Sequence, residues 1–482
     1  MLLNHKKINE EHNLEDIEKG VNPSNFITSK RIDLVPKILY LQNLDIPFFE
    51  KLYIDSIKSL NGLKEDDWSE KSWAGDFLYS FNETHKSIKS DWFSSAKSII
   101  PISWEDNILL DWAHRVASAF VSNKEIGTVK INQKSTVYNY NFFASKGLDI
   151  SSLDLCLQEY IKISENHVFS WILWGRSKWK VREVKDLIWK YHGTYITTKE
   201  IVLSEKGKKN IIVNCYGWEK WLWNINNNFV WAQKKVDMCF WKNDNKVRVL
   251  FFEFIDKISP EKLIELKSEI RDIFWIWKNS IHITDNKKET LEISNIFLNE
   301  NSIHFLNNME FKKYNKFINM LEKYKNKISD DRDTYCITWS WVLSLYWIRE
   351  WNDLDYITID KNNNWENHNS YINKYLWKEI GEIIHNPKNY FLLTNWLKVL
   401  SIDNIKKFKN NRDEWKDRMD IKLIENTLKW NLNILWKLKT SYLKIKRIVI
   451  YWTLNACVNL GVKLIPKKYI PFFKKIYYKI IS

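Results

Sequence analysis

Apolar and polar positions along this chain change period repeatedly, so strand-like and helix-like runs follow one another. Lys97-Ser98-Ile99-Ile100-Pro101-Ile102 reads as a strand, Asn107-Ile108-Leu109-Leu110-Asp111 as a short apolar strand, Val116 to Phe120 as a helix, and Val129-Lys130-Ile131 as a further strand. Between residues 134 and 310 the pattern predicts a helix at Val181 to Tyr191 and strands at Tyr195 to Leu203, Asn210 to Cys215 and Val247 to Phe254. Ser259-Pro260-Glu261 is a helix start, a hydroxyl N-cap with proline at the first helical position, and that helix runs to about Phe274. A helix at Tyr314 to Lys325 leads to strands at Thr334 to Thr338 and Leu354 to Ile359, after which helices continue to Leu438. This mixture predicts an α+β, multidomain fold of mixed sheets with helices. Its divisions are a polar segment 1–30, domains 31–133, 134–310 and 311–440, and a basic aromatic tail 441–482.

The length agrees with several cores, since 482 residues exceed what one hydrophobic core supports. The net charge of +15 comes with abundant Asn and Ile, the pattern of AT-rich coding. It is therefore read first as a solvated basic surface and only second as a sign of an anionic partner. Cys156, Cys215, Cys239, Cys336 and Cys457 form no CxxC pair, which argues against a zinc or disulfide framework and for a reducing compartment. Residues 1–20 have no apolar core of a signal peptide, so the expected location is cytoplasmic. The tail interleaves Lys444, Lys446, Arg447, Lys467 and Lys468 with Phe472, Phe473, Tyr477 and Tyr478, and is too polar for a transmembrane span. It suits either the anionic inner face of a membrane, as a peripheral contact, or a helical pair packed on the third domain.

One anomaly changes how the chain is read. It holds 27 tryptophans but only 11 glycines, about 2% glycine where about 7% is usual. Trp112, Trp339, Trp341, Trp347 and Trp351 stand in turn and helix-start contexts where a residue without Cβ is wanted. The expectation is genetic code reassignment: a gene in which UGA encodes glycine, with many Trp standing for Gly. Trp221, in Glu219-Lys220-Trp221-Leu222, reads as genuine. The aromatic surplus is then no evidence for carbohydrate platforms.

With glycine at 339, Ile337-Thr338-Trp339-Ser340 followed by Asp353-Leu354-Asp355 becomes a hydrophobic-Gly-Ser turn and an Asp-x-Asp strand. This resembles the polymerase-β-like nucleotidyltransferase superfamily over about 330–365, extending to about 440. The resemblance implies a nucleotidyltransferase-like C-terminal domain in which Trp339 and Ser340 hold the triphosphate of a nucleoside triphosphate. Asp353 and Asp355 would bind Mg²⁺, and Asp360 is the candidate third acid. Alternate residues of a strand share a face, so both carboxylates of the pair can meet one cation. Arg349 is a candidate phosphate contact or turn cap. An ordinary Asp-rich strand end competes with this reading.

Asp111-Trp112-Ala113-His114-Arg115 becomes, with glycine, Asp-Gly-Ala-His-Arg between a strand and a helix. Over about 95–132 it resembles the Gly-x-His-Arg box of the ParB/sulfiredoxin-like fold, which implies nucleotide phosphate binding by Asp111, Trp112, His114 and Arg115. A structural His-Arg pair is the equal alternative. Three other clusters are read as structural: His282, Asp285, Glu289 and His304, which a metal site could otherwise use, with Asp285 equally good as a helix N-cap; Ile384 to Pro387; and the charged helix around 411–420, read as a solvated face rather than the far wall of an active site. Together these residues predict an Mg²⁺-dependent nucleotidyltransferase acting on a small-molecule or glycan acceptor, a sugar or lipid-headgroup precursor of surface polysaccharide. The alternatives are a nucleotide-binding regulatory protein, or a kinase or nucleotidase centred on His114 and Arg115. Nucleic acid is not an expected partner, since no basic helix or zinc finger is seen.

Overall fold

The computed structural model describes residues 17–65, 71–90, 99–216, 229–255, 258–274, 276–309, 332–350, 355–361, 367–393 and 397–428. The chain forms two compact units, residues 1–307 with 384–397, and residues 308–383 with 398–482. Among the described residues it is an α+β protein with 17 α-helices and three small sheets.

The first unit opens with β1 (Glu18–Val21), inside the segment expected to be polar and loosely ordered. Helices α1 (Leu34–Gln42), α2 (Pro47–Asn61) and α3 (Ala74–Ser90) follow, then β2 (Ile99–Ser103), α4 (Ala113–Val121) and β3 (Ile126–Ile131). The sheet order is β1-β3-β2, with β2 parallel to β3 and β1 antiparallel. Asn107 to Asp111 does not form the expected strand. It contributes a single bridge, Leu109 to Ile102.

Helices α5 (Tyr140–Ser145) and α6 (Ile150–Ile163) lead to β4 (His167–Leu173), α7 (Val181–Lys190) and β5 (Thr194–Val202). Next come α8 (Glu205–Tyr216), α9 (Val230–Cys239), β6 (Lys246–Phe254), α10 (Pro260–Ile273), β7 (Ile281–Ile283), α11 (Lys287–Phe297) and α12 (Glu300–Asn308). The sheet order is β5-β6-β4-β7, all neighbours antiparallel. The central strands β4 and β6 are apolar almost throughout because both faces are covered, whereas the edge strand β5 alternates. On one face Trp171, Leu173, Leu250, Phe252 and Ile283 pack with Val184 and Ile188 of α7 and Leu266 and Ile270 of α10. Ser259 Oγ accepts from Lys262 N at 3.3 Å, the cap expected for α10.

Asn210 to Cys215, expected as a strand, lies inside α8. Its Ile211-Ile212-Val213 run is buried on every side, so the sequence carried no period. The helix start is set by Ser204, whose Oγ accepts from Gly207 N at 3.0 Å. Glu253 of β6 has no exposed surface. It accepts from Ser29 N (3.2 Å), Asn166 Nδ2 (3.1 Å) and the Tyr160 hydroxyl, fastening the first module to the second sheet. Residues 384–397 return to this unit with β10 (Tyr390–Leu392), where Tyr390 O accepts from Asn301 Nδ2 at 3.1 Å.

The second unit holds β8 (Tyr335–Ile337), α13 (Ser340–Leu345), β9 (Tyr356–Thr358), α14 (Asn369–Leu376), β11 (Lys398–Leu400), α16 (Ile402–Arg412) and α17 (Trp415–Leu428). The short α15 (Ile380–His385) precedes its return. β9 is antiparallel to β8, Ile337 facing Tyr356, and β11 is parallel to β8, Val399 beside Ile337. The expected helix at Tyr314 to Lys325 and the tail from 429 lie outside the described residues.

Candidate functional site

Strand β8 ends at Ile337, the chain turns at Thr338-Trp339, and α13 opens with Ser340. The antiparallel pairing of β8 with β9 brings Asp355 to the same end, where Asp355 O accepts from Thr338 N at 2.9 Å. Ser340 Oγ donates to Asp355 Oδ2 at 2.8 Å, and Ser340 N lies 3.4 Å from the same oxygen. The carboxylate therefore sits at the first amide of α13. His368, just before α14, places Nδ1 3.3 Å from Asp355 Oδ1. Asp353 lies outside the described residues. The oxygens of Asp355 and Ser340 are hard donors of the kind Mg²⁺ takes. Among the described residues no group of three potential ligands converges.

Asp360 does not join this group. It follows β9 at the opposite end of the hairpin, where its Oδ2 accepts from the Tyr335 hydroxyl at 3.1 Å. At about 3.3 Å per strand residue, five residues from Asp355 put it on the order of 15 Å away. Arg349 is turned to α17 and lies with Nε 3.4 Å from Asp420 Oδ2. The charged helix is also not the solvated face expected. Asp417 and Asp420 are wholly buried, Lys409 Nζ reaches them at 3.0 and 2.8 Å, and Arg412 grips Asp417 at 2.6 and 2.7 Å. Burial opposes ionisation of Asp417, but its bonds to Arg412 and Lys409 outweigh it and hold the carboxyl below the usual range.

The backbone at position 339 carries a second message. Trp339 has φ 47° and ψ −110°, a region that glycine enters and side chains avoid. Among the described residues eleven non-glycine positions have positive φ, and five are tryptophan: Trp112, Trp277, Trp339, Trp347 and Trp377. For ordinary residues only a few per cent are found there. Trp277 and Trp377 are also about 70% exposed (69% and 72%). Trp341 differs from them, being helical and fully buried, so the backbone offers no reason for glycine there. Trp351 and Trp221 lie outside the described residues. The Trp339 indole is 8% exposed and lies against the Phe408 ring, with centroids 3.6 Å apart.

At the other segment, Trp112 stands before α4 with φ 65° and ψ 35°, and its ring carries the Arg115 guanidinium at 4.6 Å. Burial lowers the Arg115 pKa, partly opposed by Asp111, whose Oδ1 accepts from Trp112 N at 2.6 Å. His114 packs edge-on to Phe81 (4.6 Å) and meets the Tyr53 hydroxyl at 2.9 Å through Nε2. Burial, with Lys37 and Lys71, holds its imidazole well below the ordinary range and hence neutral near pH 7. Beneath it, Arg31, Asp33 and Lys37 form a buried ionic group, Arg31 bidentate to Asp33 at 2.7 and 2.8 Å. Sequence reasoning did not single these three out, nor His368 or Phe408, because their roles come from partners distant in the chain.

The histidine-acid cluster does not assemble as a metal site. His282 Nε2 pairs with Glu289 Oε1 at 3.1 Å, and Asp285 turns to Lys267. Asn286 rather than Asp285 caps α11, accepting from Glu289 N at 2.9 Å. No family model, no curated protein and no solved structure matches this chain.

Proposed function

We propose that the second unit is a nucleotidyltransferase-class domain acting at the Thr338–Ser340 turn and Asp355, with glycine as the native residue at 339. The observation that carries this reading is the meeting of Ser340 and Asp355 at 2.8 Å beside a backbone conformation that favours glycine. A turn without Cβ leaves its amides open to triphosphate oxygens. Ser340 then orients a phosphate oxygen through its hydroxyl, and Asp355, released from Ser340, supplies carboxylate oxygens beside it. A bound Mg²⁺, held by Asp355 and by Asp353, would neutralise the charge that develops as the α-phosphorus is attacked. The acceptor is a hydroxyl or phosphate nucleophile of a small molecule or glycan, and peripheral membrane contact through the tail belongs to the same proposal. Among the described residues no helix is long and apolar enough to cross a membrane.

The test is Mg²⁺-dependent pyrophosphate release from a nucleotide panel by the Trp339→Gly chain, with Asp353→Asn and Asp355→Asn as controls. Turnover that survives both substitutions would sink the assignment. A second reading, a kinase or nucleotidase at residues 111–115, is favoured by the place of Arg115, whose guanidinium lies 4.6 Å from the Trp112 ring in the first turn of α4. It predicts loss of activity in Arg115→Ala with Asp355→Asn intact.

A further inference from the structure

The Trp339 indole is a fused five- and six-membered aromatic plane, the size and shape of a purine. It lies against Phe408 with ring centroids 3.6 Å apart and the planes tilted by 30°, and it is almost fully enclosed. The residue that follows it is Ser340 of the candidate phosphate turn. The Phe408 ring is itself held in place. Tyr375 meets it edge-on at 5.3 Å, Tyr371 at 6.4 Å, and the Arg412 guanidinium lies 4.9 Å from its centroid. Arg412 is anchored in turn by its bidentate bond to Asp417. With glycine at 339, a fixed aromatic face is left uncovered beside the turn, in a space that a bicyclic ring already fills.

We propose that this space is the nucleobase subsite: a purine base stacks on Phe408, in the place the indole occupies. The inference rests on the nucleotidyltransferase reading, and it adds the base class and the residue that selects it. An aromatic platform binds through its π-face, and loss of such a stack costs about tenfold or more in affinity. A pyrimidine covers less of the ring and binds more weakly.

The experiment uses the full chain carrying Trp339→Gly, with Trp339→Ser as a second small replacement should the first fold poorly. Adenosine, guanosine, cytidine and uridine are titrated by calorimetry, so that the base is tested without phosphate. Binding of a purine nucleoside to the opened variants, absent from the parent chain and weakened about tenfold by an added Phe408→Leu, is the expected result. No purine binding to a folded opened variant, or affinity unchanged by Phe408→Leu, overturns the proposal. Pyrophosphate release separates the two ideas. Turnover without purine binding removes the stacking subsite alone, whereas Phe408-dependent purine binding without turnover removes the transferase reading alone.

Discussion

Trp377 follows the last residue of α14 with φ 53° and ψ 43°, the left-handed position where helices end on glycine, and 72% of its surface faces solvent. Replacing it with glycine tests whether tryptophan is foreign to such positions. The left-handed conformation costs an L-residue about 1–2 kcal/mol through its Cβ. Glycine removes that cost but adds about 0.4–1 kcal/mol of freedom to the unfolded chain. Little burial is lost, because the indole is mostly exposed. The net expectation for Trp377→Gly is a gain of about 0.5–1 kcal/mol, read as a rise of roughly 1–4 °C in the melting transition of a unit this size. Trp377→Ala is the decisive companion. It removes the same indole but keeps Cβ, so it gains nothing. If alanine stabilises as much as glycine, the gain comes from losing a surface aromatic and the backbone argument fails. If glycine destabilises, the indole makes contacts worth more than the strain.

Trp174 is the converse case, fully buried against Phe240 with no positive φ, and Trp174→Gly should cost about 3–5 kcal/mol in chemical denaturation. The Asp33 carboxyl is fully buried; burial pushes its pKa up, but Arg31 and Lys37 outweigh this and hold it at about 2 against 3.8 when unfolded. A depressed folded pKa means the stability is present in full above the unfolded value and is lost as pH falls from about 4 through 2. Asp33→Asn should therefore remove about 2 kcal/mol near pH 7 and flatten the acid limb of an unfolding titration. Lys409→Met leaves Asp417 and Asp420 buried without their shared cation, and the loss should be about 3–5 kcal/mol by urea denaturation.

What was legible in the sequence divides along physical lines. Strand β6 and the start of α10 could be read because burial on two faces leaves an unbroken apolar run, and Ser-Pro is a local cap chemistry, whereas β4 was not picked out. The Ile211-Ile212-Val213 run could not, since a helix buried all round shows the same β-branched residues as a strand. Asp360 looked close to Asp355 because it is close in number, but the two flank opposite ends of the extended strand β9. The charges of α17 looked solvated because their partners, Lys409 and Arg412, belong to α16 and only the fold brings them in. Ser340 and Asp355 are the reverse case, fifteen residues apart and in contact, since the strand pairing that separates Asp360 is what joins them. The tryptophans belong to neither group. Their excess was visible in the composition, but composition does not say which of them stand where glycine is at home. Among the described residues the backbone separates them: positions 112, 277, 339, 347 and 377 turn to positive φ, the region glycine favours, while 171, 174 and 341 are buried with ordinary backbones. Residue type alone therefore passes over the turns at 112 and 339, on which the proposed chemistry depends.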